Sequence, residues 1–245
     1  MKDIEAIEET SISPEHLLMK RGITWIEGPG YFGKEIGFLA QETTVALLSE
    51  NQTVHWIDGA HRFDPSTFFE PLRYRKCGLE EGLRRLYIGR GFTLHQLHAL
   101  ILRVHQETLL TKASLVVVDG LLAMFLDDQI RRYEGRAILR HCLHSLQKLS
   151  KHCAVIIIDG HVKSRLHQQL KHTVKIHADR HLHGYWQTAR KRVLLLRNIN
   201  KSETTLRVLP IMRNQSQLRL GSFTSTCQVV QHPLLSIDVL PTQME

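Results

Sequence analysis

Gly28, four intervening residues, Gly33 and Lys34 stand in the run Glu27-Gly28-Pro29-Gly30-Tyr31-Phe32-Gly33-Lys34-Glu35, between a short apolar segment and a helical one. This is the spacing of a phosphate-binding loop. Glycines let backbone N–H groups curl round phosphate oxygens, the following helix N-terminus adds partial positive charge, and a lysine reaches the terminal phosphates. The next position calls for a Ser or Thr to ligate magnesium, and Glu35 stands there instead. A carboxylate beside the phosphates repels them unless it turns away or serves the metal. Further on, the apolar run Ser114–Val118 ends in Asp119, the residue type and place of a magnesium-coordinating acid. The nucleotide-contacting set read from these motifs is Gly28, Gly30, Gly33, Lys34, Glu35 and Asp119.

Strands and helices must hold these residues. Short apolar runs occur at 23–26, 54–57, 115–118, 154–158 and 193–196. Continuous apolarity over so few residues predicts strands buried on both faces, as in a parallel sheet. Helical spacing predicts helices over 34–49, 93–111 and 129–152; in the last, Ile130, Tyr133, Ile138, Cys142, Leu146 and Leu149 recur on one side. Strands alternating with helices predict an α/β fold with a mainly parallel sheet. The runs 193–198 and 204–211 read as an antiparallel hairpin, and the Ser-, Thr- and Gln-rich stretch after it as a tail. The organisation expected is an acidic segment over 1–21, a core domain over 22–215 and a tail over 216–245.

The 245 residues carry 32 Lys and Arg against 24 Asp and Glu, a net charge of +8 that favours polyanionic partners, nucleic acid first. No apolar run approaches the roughly 20 residues of a membrane span, and the acidic start lacks a signal peptide's apolar core. The four cysteines form no Cys-x-x-Cys pair, so neither a disulfide framework nor a cysteine zinc site is expected. The reading is a cytoplasmic protein, nucleoid-associated or nuclear according to its host, with no membrane partner. His177, His181 and His183 lie close in sequence, but no carboxylate or thiolate pattern completes a zinc site, and no metal ligands are assigned.

The order of these motifs resembles the core of RecA-type recombinases and their paralogs. The phosphate loop comes first, and the next strand ends in Trp56-Ile57-Asp58-Gly59-Ala60-His61-Arg62-Phe63-Asp64-Pro65, which resembles the family's "-DxEHxxDP-" run. Val116-Val117-Val118-Asp119 resembles its Walker B strand. Ile156-Ile157-Ile158-Asp159-Gly160 sits where the family has a strand ending in Asn-Gln ahead of a DNA-binding loop. The resemblance implies a RecA-like core over residues 22–212. It also marks three departures. The glutamate that activates the attacking water corresponds to Ala60, the glutamine that senses the terminal phosphate to Gly160, and the magnesium-binding Ser/Thr to Glu35. Alanine and glycine can neither orient water nor accept its proton, so assistance worth roughly 10²–10⁴-fold is missing. The expectation is a pseudo-ATPase with no catalytic residues and no required cofactor, keeping at most a weak contact with ATP and magnesium.

The segment 161–192 holds eight Lys and Arg, six His and the single acid Asp179. The resemblance places the DNA-binding loop at its start, over 161–172, so Lys163, Arg165, His167 and Lys171 are the expected phosphate contacts, with Tyr185 and Trp186 available to stack. A second basic cluster, Arg73 to Lys76 with Arg84 and Arg85, reads as a solvated helix face or a subunit contact and is a weak nucleic-acid signal. The function expected is that of a recombinase paralog in DNA repair or homologous recombination. It would bind DNA, single strands favoured, and a protein partner such as a recombinase or paralog subunit. The first 22 residues are too short for a separate DNA-binding domain, so filament formation by this chain alone is not expected. The alternatives are an active DNA-stimulated ATPase with altered catalytic residues, and an assembly scaffold that does not bind DNA.

Overall fold

A computed structural model describes residues 18–127, 129–160, 164–186, 194–198 and 205–208. The expected acidic segment and tail fall almost wholly outside these residues. The described chain begins its regular structure with strand β1, Gly22–Gly28, and helix α1, Gly37–Ser49. Strand β2, Val54–Asp58, leads through the short helices α2, Phe69–Tyr74, and α3, Leu79–Leu83, to strand β3, Leu86–Arg90. Then follow α4, Leu94–Thr111; β4, Leu115–Asp119; α5, Arg132–Leu149; β5, Ala154–Gly160; and α6, Arg165–His177. Strands β6, Arg180–Trp186, β7, Leu194–Asn198, and β8, Thr205–Val208, complete the order.

The fold is α/β. The sheet runs β3-β2-β4-β5-β1-β6-β7-β8, its first six strands all parallel, with β7 antiparallel to β6 and β8 antiparallel to β7. Every residue of β2, β4 and β5 is buried, as continuous apolar runs require when helices cover both faces. Alternation along the strands divides the core in two. Ile23, Trp25, Val116, Val118, Val155 and Ile157 pack under α4, α5 and α6, with Leu97, Ile101, Leu139, Leu146, Leu170 and Val174. Ile26, Val54, Trp56, Val117, Ile156 and Ile158 pack against Leu39 and Leu48 of α1, Leu72 of α2 and Phe68 just before α2. Side-chain caps set two helix starts: Thr93 accepts a bond from the Gln96 N–H, and Ser164 one from the His167 N–H. No helix of the described residues is long and apolar enough to cross a membrane.

The structure differs from the sequence expectation at two strands and one helix. Strand β3 is a sheet edge, with Tyr87 and Ile88 exposed, so it lacks a continuous apolar run. Strand β6 is Arg180, Leu182, Gly184 and four polar or aromatic residues, His181, His183, Tyr185 and Trp186, and so lacks an apolar run too. The region expected as a DNA-binding loop becomes helix α6 from Arg165 onward, because Leu166, Leu170 and Val174 recur every four residues and seat against the core.

Candidate functional site

The parallel strands end together, and the motif residues sit at those ends. The register sets Asp58 beside Asp119, and Glu27 beside Asp159. Four carboxylates, Glu27, Asp58, Asp119 and Asp159, are therefore buried along the carboxyl edge of the sheet, none more than 6% exposed. This is where open α/β sheets bind ligands. Buried carboxylates need partners, and each has a basic one.

Arg62 answers Asp119. Its Nε donates to Asp119 Oδ2 at 2.9 Å, and its Nη2 makes a short bond to Oδ1, a two-point clamp on the carboxylate. The same guanidinium donates from Nη1 to the Tyr31 carbonyl at 3.1 Å and from Nη2 to the Phe32 carbonyl at 2.9 Å. One cation thus ties the end of β4 to the glycine loop. Burial pushes the Asp119 carboxyl above the usual carboxylate range, and the Arg62 bonds pull against that rise. Arg90 donates from Nε to Asp58 Oδ2 at 2.9 Å, and the backbone N–H groups of Arg62 and Phe63 donate to the same carboxylate, which fixes the turn that presents Arg62.

The other two acids take up residues expected to face DNA. Lys171 makes a short ion pair with Glu27, and its Nζ lies 5.9 Å from the centre of the Trp25 ring. His181, stacked on Trp25 at 3.9 Å, brings Nε2 to 3.3 Å from Glu27 without the alignment of a hydrogen bond. His167 is fully buried, its Nε2 3.3 Å from Asp159 Oδ1 and its ring edge-on to Phe32. Two of the four phosphate contacts expected from the sequence, His167 and Lys171, are thereby corrected. His167 and Lys171 point into the sheet edge because Leu170 and Val174 turn that side of α6 inward. Arg165 is exposed, and Lys163 lies outside the described residues.

The glycine loop is folded in on itself. Gly33 N–H donates to the Gly30 carbonyl, Lys34 N–H to Tyr31 and Glu35 N–H to Pro29, so three amides that could face phosphate oxygens are bonded to loop carbonyls. Gly30 and Gly33 have φ of +83° and +72°, which glycine allows. Phe32 adopts φ of +48° with its ring buried in the core, a strained conformation for a bulky residue that its burial holds in place. The loop rests on the end of β5: a Cβ on Gly160 would stand 2.0 Å from the Gly33 nitrogen and 2.6 Å from the Gly30 oxygen. This closeness is a physical reason for glycine at 160, where any side chain would enter the loop. A Cβ on Gly28 would meet the Ile36 side chain at 2.7 Å. Lys34 and Glu35 are exposed at the loop's outer side.

As they stand, these residues do not fit magnesium nucleotide. The carboxylate that would hold the metal is clamped by Arg62, and the loop amides are committed. Sequence reasoning singled out Asp119, Gly160 and the loop, but missed Arg62, Arg90 and Glu27 as members of the same edge. The signal for them was faint: an acid at each strand end implies a base nearby, yet nothing in the spacing says which one. In the second basic cluster Arg73 pairs with Glu70, Arg84 with Glu80 and Arg85 with Glu81, each three or four residues away. Comparison with models of known protein families finds no match, and none of the curated proteins matches the chain.

Proposed function

We propose that this chain is a RecA-type recombinase paralog whose nucleotide site has become structural, a DNA-binding, non-hydrolysing subunit that acts beside a partner recombinase in repair or recombination. The observation that carries the reading is the Arg62 bridge. In a working phosphate-loop enzyme a divalent cation links the acid at the strand end to the phosphates in the loop. Here a side-chain cation joins Asp119 to the loop carbonyls of Tyr31 and Phe32, and no nucleotide is needed to complete the contact. A mainly parallel sheet ending in an antiparallel addition, with the glycine loop, Asp119 and Asp159 on neighbouring strand ends, supports the family assignment. The Ala60 and Gly160 departures support loss of turnover, since neither residue can handle a proton.

The test is ATP turnover at micromolar protein, with and without single-stranded DNA, for the native chain and Lys34→Ala. The reading predicts the same background rate in all four reactions. DNA-stimulated turnover abolished by Lys34→Ala would establish the active ATPase instead.

A further inference from the structure

Helix α5 carries a row of basic residues that no acid among the described residues neutralises. Arg132, Arg136, Arg140, His144 and Lys148 follow one another at intervals of four and are all exposed, winding gradually round the helix, while Ile138, Leu139, Cys142, Leu143, Leu146 and Leu149 are buried. Residues four apart are neighbours on a helix, so this row sets like charges side by side and weakens the helix. Arg132 also stands in the first turn, where the helix dipole disfavours a cation. Other arginines are paired along the chain. Arg73, Arg84, Arg85 and Arg103 each pair with a glutamate three or four residues away. Among the described residues no carboxylate pairs with Arg132, Arg136, Arg140 or Lys148. The one acid of α5, Glu134, faces His95 of α4.

The adjoining face of α6 extends the row. Arg136 donates to Gln169 Oε1 at 2.6 Å, joining the two outer faces, and α6 contributes Arg165, His172 and Lys175 as exposed residues and no acid at all. We infer that the outer face of α5, continued by α6, is a docking surface for the phosphate backbone of duplex nucleic acid. From Arg132 to Lys148 the row is about 24 Å long in steps of about 6 Å. Over that rise the row turns about 160° round the helix, so Arg136, Arg140 and His144 form its outward centre and the two ends flank it. The large exposed aromatic and aliphatic residues of the two helices are Tyr133 and Ile176, each near one end. Single-strand binders interleave cations with stacking aromatics, and membrane-surface helices set apolar residues beside their basic ones. The basic row has neither arrangement along its length, which leaves phosphate contact with a rigid duplex. The inference rests on the reading of the chain as DNA-binding and moves the contact from the expected loop to a helix face.

The experiment is fluorescence anisotropy of a labelled 30-base-pair duplex titrated with the full chain across a series of salt concentrations. Native protein, Arg132→Gln/Arg140→Gln and Arg140→Gln/Lys148→Gln are compared, with Arg73→Gln/Arg84→Gln as the paired-arginine control and circular dichroism to verify folding. Each lost phosphate contact removes about 0.9 from the log–log salt slope, so either α5 pair should flatten it by about 1.8 and weaken binding about 60-fold near 0.1 M salt. The control should leave slope and affinity unchanged. Equal slopes for native and both α5 variants would overturn the inference and leave DNA binding intact at another surface. Failure of the native chain to bind the duplex while it binds single strands would overturn it too. Failure to bind any DNA would remove the underlying reading as well, and binding to phosphatidylserine vesicles in its place would assign the row to a membrane.

Discussion

Replacing Arg62 by Ala strips Asp119 of its cationic partner while leaving the carboxylate buried. Removing one member of a buried ion pair typically destabilises a protein by about 3–5 kcal/mol. The Arg62 side chain is 18% exposed, which favours the lower end, and the two carbonyl bonds it also loses return roughly 1 kcal/mol of the difference. A loss of about 4 kcal/mol is expected. Asp119→Asn keeps the shape and the carbonyl contacts and should lose about 2 kcal/mol. If the pair acts as a unit, Arg62→Ala/Asp119→Asn should lose less than the sum, with a coupling of about 1.5–3 kcal/mol. Urea unfolding followed by tryptophan fluorescence reads all four corners of this cycle.

The pH dependence has a definite sign. Burial raises the folded-state pKa of Asp119 above its ordinary value, so its contribution to stability is greatest in acid and falls as pH rises through the folded value. Arg62→Ala removes the bonds that hold that value down. The variant's deficit against the native chain should therefore grow between about pH 4 and pH 7. Losses that add to within about 0.5 kcal/mol, or a deficit that shrinks as pH rises, would refute the bridge as an energetic unit.

Three further expectations concern neighbouring groups. Gly160→Ala should destabilise by about 2–3 kcal/mol in the same urea assay, since its Cβ would stand 2.0 Å from the Gly33 nitrogen; a neutral substitution would mean the loop moves freely off β5. Lys171→Met should lower stability by about 3 kcal/mol by leaving Glu27 without its lysine, yet leave the salt slope of duplex binding unchanged; a flatter slope with unchanged stability would return Lys171 to a DNA contact. Burial pushes the thiols of Cys142 and Cys153 up to about 12, so iodoacetamide at pH 8 should leave both unmodified by mass spectrometry until the protein is unfolded; rapid labelling in the native state would contradict their packing.

What the sequence made legible follows from which residues are buried on both faces. Strands β4 and β5 are unbroken aliphatic runs, so they stand out, and the buried residues of α5 recur at helical spacing. Strand β3 was hidden because an edge strand exposes Tyr87 and Ile88, and β6 because His181 and Arg180 owe their places to Trp25, Glu27 and Thr24 on β1 rather than to apolarity. In α6 the dense charge masks Leu166, Leu170 and Val174, whose spacing encodes a helix with an inward side. The glycine loop and Asp119 were readable as motifs. Arg62 was not, because its meaning lies in a contact 57 residues along the chain, between groups that no local pattern relates.

The most direct measurement is isothermal titration of the native chain with ATP, with and without magnesium, alongside Lys34→Ala. A site closed by Arg62 and by its own loop carbonyls predicts no magnesium-dependent heat up to about 1 mM nucleotide, and identical traces for both proteins. Magnesium-dependent binding tighter than about 0.1 mM that disappears in Lys34→Ala would contradict a closed site, because the loop would then still cradle phosphate and Asp119 would still serve a metal.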